Sequence, residues 1–269
     1  MIDGQFEVID AHCHIYPEKI SQKAAKATAD FYGEEPMGDG TVAGLLRMGN
    51  AAGVDRYIVQ SVATTPAQVR KINAFIADEV AAHNGVLIGL GTLHPESGDI
   101  AGDIENITAL GLKGVKLHPD IQGFKIDDYR CLKIYEICER EGLPILMHTG
   151  DSRYDFSNPN RLLPILKIYT GLTVIGAHLG GFSVWEEASR QLCDIPHFVV
   201  DCSSSLGYLP REAAREIILR YGSDRVLFGT DYPLHAVGAE VEMLCAMNFS
   251  AEDYRKIFAE NAKRVYGIK

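Results

Sequence analysis

Short runs of apolar and β-branched residues alternate along this chain with longer stretches in which apolar residues return every three or four positions. The runs are EVIDAHCHI (7–15), RYIVQSVA (56–63), VLIGLGTL (86–93), GVKLHP (114–119), PILMHTG (144–150), TVIGAHLGG (173–181), FVVDCSS (198–204) and VLFGTDYP (226–233). Near-continuous apolarity within a run predicts a strand buried on both faces, as parallel strands covered by helices are. From the second run to the sixth the spacing is about 30 residues, the length of a strand-helix-strand unit.

The stretches between the runs predict helices. Thr65-Pro66 supplies a cap and a first-turn proline, Val69, Ile72, Ile76 and Val80 form one face, and Gly85 follows the end. Ile100, Ile104 and Ile107 precede Gly111; Leu132, Tyr135 and Cys138 precede Gly142; Ile217 and Tyr221 precede Gly222. Eight such repeats with no break in composition predict an α/β protein, one (β/α)8 TIM barrel spanning 1–269. An open doubly wound sheet would need a glycine-rich turn after its first strand, and here the first strand runs into His-Cys-His. Ser250 and Asp253 form a capping-box pattern for a last helix carrying Ile257, Phe258 and Val265, expected across the barrel exterior. Residues 17–40 exceed what a β/α loop needs. They are expected at the barrel mouth, either as a lid or as an insertion with no part in binding.

Composition narrows the function. The chain of 269 residues is 46% hydrophobic and 23% charged, an ordinary globular profile. Its net charge of -10 removes the electrostatic footprint expected of a nucleic-acid or anionic-membrane partner, leaving a small-molecule substrate, with a homodimer admitted. Six cysteines without a CxxC pair are expected to be reduced thiols. No run of about 18 apolar residues occurs, and MIDGQFEVID lacks the basic flank and apolar stretch of an export signal, so a soluble, cytoplasmic protein is expected.

Polar residues then appear where apolar ones should end the strands. His12 and His14 share one face of the first strand by two-residue alternation, with Cys13 on the other. His94, His118, His148, His178 and Asp231 end the third, fourth, fifth, sixth and eighth strands. At the C-terminal mouth of a barrel these groups converge where active sites of the fold lie. Any one strand-end histidine has a structural explanation as a hydrogen-bonded residue. Several imidazoles and a carboxylate packed together without a cation would compete for too few protons. A divalent metal resolves the conflict, and this donor set with an open position suits zinc, which lowers the pKa of bound water to roughly 7.

The segments IDAHCHI, GVKLHP, ILMHTG, VIGAHLGG and FGTDYP, in this order, resemble the amidohydrolase superfamily, and within it the amidohydrolase-2 branch of TIM-barrel metal-dependent hydrolases and decarboxylases. AAGVDRYIVQ, LHP at 93–95, VDCSS and the closing ENAKRVYG extend the resemblance to nearly the whole chain. It implies that His12, His14, His148 and Asp231 hold one metal, zinc first and manganese as the second choice, with no organic cofactor. It further implies that His178 acts as acid/base or orienting donor, with Asp231 passing a proton. Some superfamily members bridge two metals with a carboxylated lysine at the position of Lys116. The mononuclear branch resembled here favours Lys116 paired with a barrel carboxylate or with substrate. His118 and Arg153 are the remaining candidate contacts for a substrate carboxylate, Arg153 having a solvated loop charge as its alternative.

The leading expectation is a zinc-dependent hydrolase of a small amide, lactone or cyclic substrate. A non-oxidative decarboxylase of a small unsaturated or aromatic acid would share every metal-site residue. A barrel that binds metal or ligand without turnover is disfavoured, because a structural site needs only closed coordination.

Overall fold

The structure, a computed structural model, describes residues 6–269, so the first five residues of the expected 1–269 domain and of its N-terminal segment lie outside the described residues. Strands β1 (Ile9–His14), β2 (Arg56–Gln60) and β3 (Leu87–Gly89) pair in that order. A second set pairs in sequence order: β4 (Gly91–Thr92), β5 (Val115–Leu117), β6 (Ile145–Met147), β7 (Val174–Gly176), β8 (Phe198–Asp201) and β9 (Val226–Leu227). Every pair is parallel.

The third predicted run is interrupted at Leu90, whose N–H donates to Val59 O at 2.9 Å, while Gly91 N–H donates to Gly114 O at 2.9 Å. Its two halves thus hand the ring from β2 to β5. Glycine is required on both sides of the break: a Cβ would come 2.6 Å from Leu112 at position 89 and 2.5 Å from Ile107 at position 91. The remaining seam is bridged by Ala11 N–H to Phe228 O (2.8 Å), His14 N–H to Tyr232 O (2.7 Å) and Asp231 N–H to His12 O (2.8 Å). This is the α/β TIM-barrel architecture the sequence predicts.

The helices in the strand connections are α1 (Ser21–Tyr32), α2 (Val42–Ala52), α3 (Val69–Ala82), α4 (Ile100–Ala109), α5 (Pro119–Gln122), α6 (Tyr129–Glu141), α7 (Pro159–Ile168), α8 (Trp185–Leu192), α9 (Arg211–Tyr221) and α10 (Val237–Cys245). Helices α3, α4, α6 and α9 fall where the apolar periodicity predicts them. None of the helices among the described residues is long and apolar enough to cross a membrane. All six cysteines are free, as expected.

Two apolar clusters divide the core. Ile9, Ala11, Ile58, Ile88, Leu146, Ile175, Val199 and Leu227, from every strand but β4 and β5, fill the ring. Cys13, Tyr57, Val59, Val115, Leu117 and Val200 pack outward against the helices. Along β1 the alternation changes phase: the register with β2 slips by one residue between Asp10 and Cys13. Such a bulge re-aims side chains. It lets Ile9 and Ala11 join the inner cluster below while His12 and His14 face the mouth above.

The C-terminal segment corrects the sequence reading. Ser250 Oγ accepts from Asp253 N–H at 3.1 Å, and Asp253 Oδ2 from Ser250 N–H at 3.3 Å, so the capping box is present. It opens α11 (Ala251–Arg255), followed by a π-helical turn and α12 (Asn261–Tyr266). Ala259, Ala262 and Tyr266 pack with the inner cluster, so this segment closes the bottom of the ring instead of lying wholly outside it.

Candidate metal centre

Strand ends and the turns after them carry the site. His178, Ser204 and Asp231 adopt left-handed backbone angles, φ +61°, +44° and +62°, uncommon for residues other than glycine. These turns aim their side chains across the mouth, and such strain is characteristic of functional positions.

The centre of the arrangement is His12 Nε2. It lies 3.2 Å from His14 Nε2, 3.3 Å from Asp231 Oδ1 and 3.0 Å from Lys116 Nζ, and His14 Nε2 lies 3.5 Å from the same carboxylate oxygen. His12 Nδ1 is 2.9 Å from Asp201 Oδ2, an acceptor, so the ring proton sits on Nδ1 and the Nε2 lone pair faces the cluster. A carboxylate behind a histidine in this way is the usual support of a metal ligand. Nothing pins the tautomer of His14, whose Nδ1 is buried without a partner. The His12 Nε2 lone pair, the His14 Nε2 nitrogen, free to present its own lone pair, and one carboxylate oxygen converge, and that donor set fits a divalent cation.

His148 and His178 stand beside this trio. His178 Nε2 is 3.0 Å from His148 Nδ1, and His178 Nδ1 lies 3.1 Å from Ser203 O. The other nitrogen of His148 is 3.0 Å from Gly150 O and 3.6 Å from Asp120 Oδ2. His118 stacks on His148 with ring centroids 4.0 Å apart, and its Nε2 is 2.8 Å from the Tyr32 hydroxyl. Three donor groupings are close enough to share an ion: His12, His14 and Asp231; His12, His178 and Asp201; and His118, Asp120 and His148. The expected ligand His148 thus belongs to a grouping adjacent to the one holding His12, His14 and Asp231. His94 stays apart, its Nδ1 accepting from Glu96 N–H at 3.2 Å.

Lys116 is fully buried on β5, and its Nζ has no carboxylate oxygen within 4.0 Å among the described residues. Arg153 lies one side chain away from the histidines, its guanidinium 5.3 Å from the Tyr32 ring centre. Its Nε and Nη2 donate to Asp151 at 3.0 and 2.7 Å, and Nη1 donates to Phe31 O at 2.6 Å. With its guanidinium also 4.9 Å from the Phe31 ring centre, Arg153 grips the end of α1.

Burial pushes His12, His14, His118, His148 and His178 well below the ordinary histidine value, and the nearby Lys116 charge adds to the shift. These imidazoles are neutral at pH 7, the state a metal ligand requires. Burial likewise raises the Asp231 carboxyl, offset by Lys116, and lowers the Lys116 ammonium.

Sequence reasoning missed Asp201, Ser203 and Asp120, whereas Tyr32 is one of the aromatic residues it places near the mouth. Ser203 Oγ lies 3.1 Å from His12 Nδ1 and 3.0 Å from His178 Nδ1, tying two histidines to the Asp201 carboxylate. The signal for Asp201 was present: it ends the seventh strand as the histidines end theirs. Tyr32 comes from the 17–40 segment, which forms α1 at the mouth.

Residues 9–268 match the amidohydrolase family. No curated protein sequence matches the chain significantly. Among solved structures, an uncharacterized TIM-barrel protein from Bordetella bronchiseptica is similar at 20% identity and TM-score 0.79, covering 97% of this chain and 99% of that one. A 5-carboxyvanillate decarboxylase from Novosphingobium aromaticivorans, solved with manganese and 3-methoxy-4-hydroxy-5-nitrobenzoic acid, is similar at 17% identity and TM-score 0.78, covering 100% and 99%. A putative 2-pyrone-4,6-dicarboxylic acid hydrolase from Pseudomonas putida is similar at 18% identity and TM-score 0.71, covering 97% and 98%. These likenesses establish the shared barrel. With the family match over nearly the whole chain, and histidines and an aspartate gathered at the barrel mouth, the chain belongs to the amidohydrolase family, in its amidohydrolase-2 branch of metal-dependent enzymes.

Proposed function

We propose that this protein is a metal-dependent non-oxidative decarboxylase of a small aromatic or unsaturated carboxylic acid. The single observation that carries this reading is Lys116, a buried cationic side chain 3.0 Å from His12 Nε2 with no carboxylate within 4.0 Å among the described residues. A buried ammonium is costly without an anion. Asp231 and Asp201 act on it only from beyond contact distance; an acid substrate supplies an anion in direct contact, whereas a neutral amide or lactone would not. The name of the Novosphingobium relative points the same way, and it revises the hydrolase expectation. The Pseudomonas putida relative keeps lactone hydrolysis as the competing outcome.

His12, His14 and Asp231 would hold the metal, with His148 as the neighbouring imidazole, and the whole described chain works as one barrel domain. When bound, a divalent ion supplies positive charge that draws the substrate's oxygens into the cluster; zinc and manganese both suit the donors. Lys116 holds the acid group, and neutral His178, backed by Ser203, donates or accepts a hydrogen bond at the ring. Asp231, which accepts from Ser204 Oγ at 2.7 Å, carries the proton. It protonates the ring carbon bearing the carboxylate. The bond from that carbon to the carboxylate carbon then breaks, its electron pair restores the ring, and carbon dioxide leaves. Asp231 regains a proton from solvent.

Zinc- or manganese-loaded protein incubated in D2O with hydroxybenzoates tests the reading. Carbon dioxide release with one deuterium at the vacated carbon is expected. Hydrolysis of lactones or amides, with no acid losing carbon dioxide, would overturn it.

A further inference from the structure

Between α1 and α3, beside the cluster, lies a cavity of about 500 Å³ whose inner end is made by His14 and His118. Ala24, Ala27 and Phe31 of α1 and Phe75 of α3 form its walls. The helix period explains the shape. Ala24, Ala27 and Phe31 follow at spacings of three and four on one face, while Ala25 and Ala29 are buried on the other. Alanine on the cavity face leaves the space open. At about 30 Å³ per water-sized group the volume takes roughly sixteen of them, more than one substituted ring occupies. Thr28, Ser61, Thr64, Gln68 and Lys71 add polar groups to this mainly apolar lining, and a largely apolar wall with a few polar groups is the usual make-up of a small-molecule site.

We infer that this cavity receives the apolar body of the substrate, so that the acid bound at Lys116 carries a second ring or a comparable hydrocarbon group directed between α1 and α3. The inference rests on the preceding reading only for the place of the acid group. The space continues from His14, one of the three converging donors, so a ligand anchored at the cluster enters it without any rearrangement of the strands.

Calorimetric titration of the zinc-loaded protein with benzoate and biphenyl-4-carboxylate reads binding without turnover. The biphenyl acid should bind at least about tenfold more tightly, the gain expected from burying a further ring. Ala27→Trp should fill the cavity and bring the two affinities together, and Ala24→Leu should narrow the gap in a smaller, graded way if the tryptophan variant does not fold. Equal affinities in the unmodified protein, or a ring-dependent gain that persists in a folded cavity-filling variant, would overturn the inference. Biphenyl-4-carboxamide and benzamide separate the two readings: a ring-dependent gain among the amides, with no preference for the acids, would leave the cavity assignment standing and refute the acid substrate.

Discussion

Replacing Asp201 with asparagine perturbs the metal centre without touching any of its converging donors. The Asp201 side chain is completely buried, with Oδ2 2.9 Å from His12 Nδ1 and Oδ1 accepting from Ser203 N–H at 3.0 Å and His178 N–H at 3.2 Å. Every neighbour of the carboxylate in this set is a donor. An asparagine must therefore turn its NH2 group either toward those two amides or toward His12 Nδ1. The second arrangement is less disruptive, because His12 can move its proton to Nε2, and that takes away the lone pair aimed at Asp231 and His14. Loss of such a supporting carboxylate typically weakens metal binding about 10- to 100-fold, or about 1.4–2.7 kcal/mol. Competition against a chromophoric chelator at neutral pH measures this on the metal-free protein, with circular dichroism reporting the fold. An affinity within about twofold of the unmodified protein, in a folded variant, would refute the role assigned to Asp201 and the tautomer assigned to His12.

Further substitutions separate the other roles. His178→Ala should keep metal content near that of the unmodified protein and depress turnover, whereas Asp231→Ala should lose both; metal loss in His178→Ala, read by atomic emission, would make His178 a ligand. Lys116→Met should weaken benzoate binding by at least about tenfold while leaving benzamide binding little changed; equal losses for both would remove Lys116 as the anion contact. Glu240, on α10, is buried with Oε2 unpartnered, and burial raises its carboxyl from 4.5 to about 8. Such a group costs stability progressively as pH rises from the unfolded to the folded value, and fully above it. Glu240→Gln should therefore raise the unfolding free energy measured by urea titration at pH 9, by an amount on the order of a few kcal/mol, and far less at pH 5; an equal gain at both pH values would contradict this.

The barrel was legible because its strands are apolar on both faces and its helices keep a strict period, so each repeat marks itself. The polar exceptions at the strand ends made the site legible too. Alternation along β1 placed His12 and His14 together, but the bulge below them could not be read, because it depends on how β1 meets β2. The break at Leu90 was hidden for a similar reason: Gly89 and Gly91 are required by the approach of Leu112 and Ile107, which are distant in sequence. Arg153 shows the limit for long side chains. Its position after the fifth strand places it at the mouth, yet a carboxylate two residues away and a backbone carbonyl on α1 occupy its guanidinium. Asp201 ends its run as Asp231 does, but nothing in the sequence shows that it faces a histidine of the first strand. Only the distance to His12 identifies it as a partner. The C-terminal helix was misplaced because Ala259 and Ala262 give no sign, in sequence, of the ring they close.

The central claim is that His12, His14 and Asp231 form the metal centre. Anomalous diffraction from a crystal of the zinc-loaded protein, collected on both sides of the zinc edge, tests it most directly. One peak bounded by His12 Nε2, His14 Nε2 and Asp231 Oδ1 is the predicted result. A peak among His118, Asp120 and His148 instead, or none at any of the three donor groupings, would contradict it.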